Sequence, residues 1–297
     1  MHNEHPQKLE AALYVVATPI GNLRDITLRA LDVLVQADVV AAEDTRNTAH
    51  LLSHHNIRAQ QLIAVHQHNE RGAADKIIAL LQTGQSVAFV SDAGTPAVSD
   101  PGALLVQAVL AAGLRVIPIP GASAVVAALS AAGFNEQHFL FYGFLPNKSA
   151  ARRSVLQGLQ DHPYALAFYE APHRIVECVV DLCAVLGGSR QIVLAREITK
   201  MFETIHTCAL QDAEAWLLSD SNQQRGEFVV LVSGAPPRQG LSHETERTLK
   251  LLLAELPLKQ AVQFTTQISG EGRNEIYKLA LFIKNNPLCG KGQQYDD

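Results

Sequence analysis

Three short stretches of this chain gather the residue types that hold a ligand: Thr18-Pro19-Ile20-Gly21-Asn22, the segment Ser91 to Gly102 (SDAGTPAVSDPG), and Pro118-Ile119-Pro120-Gly121-Ala122-Ser123. Glycine tolerates positive φ and lets a ligand come close to the backbone, while proline fixes φ. Turns built this way expose amide and carbonyl groups, so they bind chiefly through the main chain. Ser91, Asp92, Thr95, Ser99, Asp100 and Ser123 add side-chain donors and acceptors. One such turn is commonly a plain connector. The second is longer and more polar than a short strand-to-helix connection requires.

The elements around these turns decide whether they can act together. Short β-branched runs, Leu13 to Thr18, Val39 to Glu43, Leu62 to Val65, Ser86 to Asp92 and Arg115 to Pro120, alternate with segments of helical periodicity. That alternation predicts βαβ units and a parallel sheet, in which the carboxyl ends of all strands share one edge and the three turns become neighbours. Leu28, Leu31 and Leu34, then Ile77, Leu80 and Leu81, then Leu104, Leu105 and Val109 are expected as inward helix faces. Pro101 suits the first turn of the helix that follows the second loop.

Residues 13–122 therefore read as one α/β domain and 123–234 as a second. The second opens with a helix at Ala124 to Ala132 and continues with strands at His138 to Phe144, Tyr164 to Glu170, Gln191 to Glu197, Glu203 to Ala209 and Glu227 to Ser233. Helices are expected near Ala151 to Leu159 and Ile175 to Leu186. The later strands follow one another closely, which predicts a mixed sheet with antiparallel members. Residues 235–242 contain APPRQG and read as a linker, and 243–286 as a three-helix appendage capped at Ser242. Flexible ends are expected at 1–12 and 287–297.

Bulk properties bound the reading further. The chain has 297 residues, 47% apolar and 18% charged, enough for two modest cores. Cys178, Cys183, Cys208 and Cys289 share no CxxC spacing, so a reduced, cytosolic setting is expected. The first residues lack a signal-peptide core, and no apolar run approaches the roughly 20 residues that span a bilayer. A net charge of −5 argues against non-specific nucleic-acid binding, so any RNA contact must be local. Lys148, Arg152 and Arg153 form the one short basic stretch, either a solvated helix start or an RNA-facing patch. Neither GxGxxG after a strand nor GxxxxGK[ST] occurs, so the dinucleotide and P-loop cradles are missing. The pairs His50/His54 and His66/His68 lack an evident third ligand, and no metal site is expected. Glu43-Asp44 could face a ligand or cap the next helix, with capping the favoured role. Tyr169 to Arg174 (YEAPHR) reads as a strand-to-helix boundary that could also face the cleft.

Together these segments resemble the tetrapyrrole methylase superfamily and, within it, the bacterial ribosomal RNA small-subunit methyltransferase I family, which 2′-O-methylates a cytidine in the decoding centre. The resemblance rests on ATPIGNLRDITLRAL from Ala17, AAEDTR from Ala41, HQHNE from His66, SDAGTPAVSDPG from Ser91, PGASA from Pro120, GFLPNK from Gly143, YEAPHRI from Tyr169, AREITK from Ala195 and PLKQA from Pro257. It implies S-adenosylmethionine held between two α/β lobes, a small ribosomal subunit substrate and usually a homodimer. On matching positions it places the cofactor against Thr95, Val98, Asp100, Ser123, Ala124, Tyr169 and Ala195. It makes Pro19, Gly21 and Asn22 the lip where substrate enters, with Lys148, Arg152 and Arg153 as the RNA-facing patch.

Methyl transfer from a sulfonium is an in-line displacement, so alignment of donor and nucleophile is the main requirement. A ribose hydroxyl would gain from a base, and Asp92, Asp100, Glu170 and Glu197 are the candidates, in no order. Two other readings stay open: the same fold acting on a corrin or porphyrin precursor, and a non-enzymatic ribosome-assembly factor that only binds RNA.

Overall fold

The runs Val39–Ala42 (VVAA) and Val87–Val90 (VAFV) carry no polar side chain, and both become strands buried along their whole length, as expected of strands covered on two faces. The computed structural model describes residues 9–66, 69–236 and 240–285. Outside them lie residues 1–8, Gln67 and His68, residues 237–239 of the expected linker, and the tail from 286 with Cys289.

In chain order the first lobe comprises β1 (Leu13–Val16), α1 (Leu28–Gln36), β2 (Val39–Ala42), α2 (Thr45–His54), β3 (Leu62–Ala64), α3 (Glu70–Gln82), β4 (Val87–Val90), α4 (Ala103–Ala111) and β5 (Val116–Ile119). Its five strands are all parallel and run in the order β3-β2-β4-β1-β5. Alternate residues serve opposite faces: Tyr14, Val16, Val40, Ala88 and Val90 pack with Val33 and Leu34, whereas Leu13, Val39, Val87 and Phe89 pack with Ile77, Leu105 and Val109.

Two expected helix faces are corrected. Leu28 is 81% exposed because α1 begins there, and Ala30, Val33 and Leu34 make its buried stripe. Leu104 is 46% exposed, and α4 buries Leu105 and Val109 alone. Pro101 also falls outside α4, whose N-cap is Gly102.

After α5 (Ala124–Ala131) come β6 (Phe139–Phe144), α6 (Ser149–Leu159), β7 (Ala165–Glu170), α7 (Ile175–Leu186), β8 (Gln191–Arg196), β9 (Thr204–Ala209), α8 (Leu210–Ser219) and β10 (Phe228–Val232). The sheet order is β6-β7-β10-β8-β9, with β6 parallel to β7 and β10 antiparallel to both neighbours. The mixed sheet is therefore present. Helix α8, not foreseen from sequence, packs Leu210, Ala213 and Leu217 into the core beneath it.

Both sheets belong to one unit that ends at Gly234, and a second unit starts at Ala235. That second unit holds α9 (His243–Glu255), α10 (Leu258–Ser269) and α11 (Arg273–Asn285) around Leu249, Ala261, Val262, Ile276 and Ala280. Ser242 caps α9, its hydroxyl oxygen accepting from the Thr245 amide at 3.0 Å. No helix among the described residues is long and apolar enough to cross a membrane.

Candidate functional site

Because β4, β1 and β5 are adjacent and parallel, the turns that leave them meet at one edge. They are bonded to one another. Thr18 N donates to Gly94 O at 2.8 Å, Gly94 N to Thr18 O at 3.0 Å, and Thr18 Oγ1 to Ser91 O at 3.2 Å. Thr95 Oγ1 donates to Ala122 O at 3.2 Å, tying the second turn to the third. The far end of the second turn is fixed by Glu70, a buried carboxylate that accepts from the amides of Gly102, Leu104 and Leu105 at 3.0, 2.8 and 3.0 Å. A carboxylate at a helix N-terminus answers both the dipole and the orphan amides. Sequence reading passed over this role although Glu70 ends the HQHNE motif.

The second lobe closes over these turns. A bulge in β6 between Phe141 and Gly143 places Gly143, at φ +82°, where an added Cβ would lie 2.7 Å from Ser99 Oγ. Opposite the first turn, the loop after β8 crosses so closely that a Cβ on Gly21 would lie 2.5 Å from Lys200 Cγ. Thr199 Oγ1 in that loop donates to Asp25. Ala97, Ser99, Glu197 and Thr199 have positive φ without being glycine, and all lie in the two loops that face each other here. Such conformations cost of order 1–3 kcal/mol each and survive where surrounding contacts enforce them.

Between the lobes lies a cavity of about 330 Å³. From the first lobe it takes Ile20, Ala93, Gly94, Thr95, Val98, Ser99 and Asp100, and from the connection Ser123 and Ala124. From the second lobe come Phe144, Tyr169, Glu170, Ala195, Glu197, Ile198, Lys200 and Glu227, among others. Thr95, Val98, Asp100, Ser123, Ala124, Tyr169 and Ala195 are thus brought together in one wall system. A second cavity, of about 370 Å³, adjoins it and is lined by Pro19, Gly21, Leu23, Asn47, His50 and Asp92 with others. Asn22 is absent from that lining; its side chain caps the short turn after it by accepting from Arg24 N at 3.1 Å.

The four candidate bases separate by environment. Asp100 is part-buried, and burial, followed by the charges of Glu43 and Asp92, pushes its carboxyl up to about 6 despite a hydrogen bond from Ser91. Glu197 is shifted the other way: burial alone would raise it, but hydrogen bonds from Lys200 Nζ and Glu227 N, at 2.8 and 2.9 Å, outweigh burial. Glu170, fully buried at its side chain, lies 3.1 Å from Arg174 Nε and accepts from Ala171 N. Asp92 accepts from Asp44 N and Asn47 Nδ2 at 3.1 and 3.0 Å, pinning the start of α2. Asp44 caps that helix, accepting from Arg46 N.

The basic stretch requires correction. Arg152 is 1% exposed and turned inward onto Asp181, at 2.7 Å, and Arg153 reaches the same carboxylate at 2.5 Å. Arg152 is a core ion pair with no surface to offer a polyanion, and Arg153 is half engaged in it. Lys148, at the start of α6, is exposed, and Arg153, with 47% of its side chain exposed, also reaches solvent. Phe144, Lys200 and Glu227 also line the cavity; the sequence places the first two in motifs and the third at a strand start, but gives none of them a site role.

Two α/β sheets sharing an acidic cavity at the carboxyl edge of the first define a class, and the model for the tetrapyrrole (corrin/porphyrin) methylases matches residues 12–214. Solved structures agree on the fold: the methyltransferase CobJ superposes with a TM-score of 0.57 at 23% identity, covering 77% of this chain and 96% of its own. Uroporphyrin-III C-methyltransferase from Thermus thermophilus, complexed with S-adenyl homocysteine, gives 0.53 at 16% identity over 75% and 97%. Curated relatives narrow the assignment. Ribosomal RNA small subunit methyltransferase I of Pseudomonas aeruginosa is 52% identical over 91% of this chain and 96% of its own length; that of Escherichia coli O157:H7 is 49% identical over 92% and 95%. A model described as the RsmI C-terminal HTH domain matches residues 239–284. The chain belongs to the ribosomal RNA small subunit methyltransferase I family.

Proposed function

We propose that this chain transfers the methyl group of S-adenosylmethionine to small-subunit ribosomal RNA, at the 2′-hydroxyl of a cytidine in the decoding centre. The observation that carries the reading is the pair of adjoining cavities, one large enough for a cofactor and one opening beside the Pro19–Gly21 turn. The donor is cationic at its sulfonium and amino group, and the cavity sets Asp100, Glu170, Glu197 and Glu227 against Lys200. Its apolar walls, Val98, Phe144, Tyr169 and Ile198, suit an adenine ring. When bound, S-adenosylmethionine supplies an electrophilic methyl.

Thr95, Val98, Asp100, Ser123, Ala124, Tyr169 and Ala195 hold the donor, largely through the main-chain groups of the three bonded turns. Tyr169, packed edge to face on Phe141 and Phe144 at 4.9 and 5.6 Å, keeps a rigid apolar wall there and excludes water. Asp100 supplies the negative charge that matches the donor. Glu170 is held by Arg174 and fixes the end of β7, so it serves the architecture. The second cavity receives the target nucleotide, whose 2′-hydroxyl distinguishes RNA from DNA, and Lys148 meets phosphate nearby. The same reading takes two chains in the working enzyme.

The test is transfer of radiolabel from S-adenosylmethionine to small ribosomal subunits, to deproteinised RNA and to a tetrapyrrole precursor in parallel. Label should appear in small-subunit RNA at one ribose. Label on the tetrapyrrole alone, or on a base, would overturn the reading.

A further inference from the structure

The two cavities share four lining residues: Ile20, Ala93, Lys200 and Glu227. If the donor occupies one cavity and the target nucleotide the other, the methyl must pass where they meet. Of the four, Lys200 and Glu227 are the titratable ones. Neither is among the candidate site residues named from sequence.

Lys200 is held firmly. Its Nζ donates to Glu197 Oε1 and to Glu227 Oε2, each at 2.8 Å, and its stem lies across Gly21. An ammonium has three protons, so two go to these carboxylates and the third remains to be directed into the junction. The backbone that aims it is equally constrained: Glu197 and Thr199 sit at φ +51° and +67°, and Lys200 N donates to Glu197 O at 3.0 Å. Burial alone would lower the ammonium's pKa, but hydrogen bonds and charge from Glu197 and Glu227 outweigh it and the net shift is upward. Lys200 therefore stays a donor and is unsuited to act as a base. Glu227, whose side chain is 80% exposed, can exchange a proton with solvent.

Resting on the proposed RNA reading, we infer that Lys200 is the positioning residue for the attacking ribose hydroxyl, and that Glu227 beside it receives the proton. A hydrogen bond from the ammonium to the hydroxyl oxygen favours its ionised form and fixes the lone pair in line. In the step so arranged, the O–CH₃ bond forms from the oxygen lone pair as the S–CH₃ bond breaks. The bonding pair stays on sulfur, which becomes a neutral sulfide, and the hydroxyl proton passes to the Glu227 carboxylate.

The experiment compares wild type, Lys200→Met, Lys200→Arg and Glu227→Gln in steady-state methylation of small ribosomal subunits between pH 6 and 10. S-adenosylhomocysteine affinity by calorimetry and thermal melting accompany it. Removing one preorganised donor at a reacting oxygen typically costs about 10²–10³ in kcat. Lys200→Met should show that loss with KM for the subunit and S-adenosylhomocysteine affinity each within about threefold, and its rate should recover as pH rises. Lys200→Arg, which keeps a donor, should retain more activity than Lys200→Met. A Lys200→Met enzyme within about fivefold of wild-type kcat, a pH profile parallel to wild type, or loss of affinity in step with rate would overturn the inference. If wild type itself places no label on small-subunit RNA, the parent reading fails and takes this one with it.

Discussion

Asp100 is expected to lower the stability of the protein that uses it. An aspartate titrates near 3.8 when unperturbed, and in the folded chain Asp100 is raised to about 6. Below the unfolded value both states are protonated and the residue is neutral in its effect. As pH rises, the unfolded chain ionises first and gains, so destabilisation grows from pH 4 upward and is complete above pH 6. A shift of about 2 units at 1.36 kcal/mol each sets a ceiling of about 3 kcal/mol at pH 7.5 and about 1 kcal/mol at pH 4.5, and solvent screening of this part-exposed carboxylate brings the effect to about half of that. Asp100→Asn, similar in shape, should raise the denaturation midpoint of the first unit, and by more at pH 7.5 than at pH 4.5. The same substitution should weaken S-adenosylmethionine binding, because the carboxylate that is costly alone is matched by a cation in the complex. For wild type the affinity should fall as pH drops through about 6, by up to tenfold per unit, and for Asp100→Asn it should be flat across that range. Calorimetric titration at several pH values with parallel denaturant melts measures both. A variant stabilised equally at the two pH values, or one that binds the cofactor as wild type does, would refute the reasoning.

Other expectations follow from the same geometry. Arg174→Met should destabilise by about 3–5 kcal/mol, since it strands the buried Glu170 carboxylate; a denaturant-melt change under 1 kcal/mol would contradict that role. Arg152→Ala should also destabilise, through the space left by a fully buried side chain, although Arg153 and Ser149 stay on Asp181, whereas Lys148→Ala should leave stability unchanged and weaken capture of small subunits, as read by melting and filter binding. Gly21→Ala should displace Lys200 and reduce methyl transfer about tenfold or more while cofactor affinity holds; equal loss of both would place Gly21 in the cofactor wall.

Much of the first lobe was legible because parallel strands announce themselves: VVAA and VAFV are apolar at every position, and the turns behind β1, β4 and β5 carry their glycines and prolines in plain view. The helix faces were less so, because Leu28 occupies a helical spacing with no neighbour above it. Strand carboxyl ends mark the ligand edge of a parallel sheet, but β10 runs antiparallel, pairing Phe228 with both Glu170 and Arg196, and so delivers Glu227 at its amino end to the same edge. Lys200 sat in a motif that was noted, but only the fold reveals that its stem crosses Gly21. Arg152 misled for the opposite reason: Asp181, its partner, lies a helix away in sequence and cannot be paired with it by composition.

The wall of the proposed cofactor cavity is built from small residues at many of its positions, with Ala93, Gly94, Ser123, Ala124 and Ala195 contributing little beyond backbone. An inhibitor that bonded to those main-chain amides and carbonyls would leave a resistant strain few side chains to change, and any backbone shift would disturb the grip on the natural donor as well. An inhibitor that also reached the junction with the second cavity would meet charged side chains there, Lys200 and Glu227, in place of backbone.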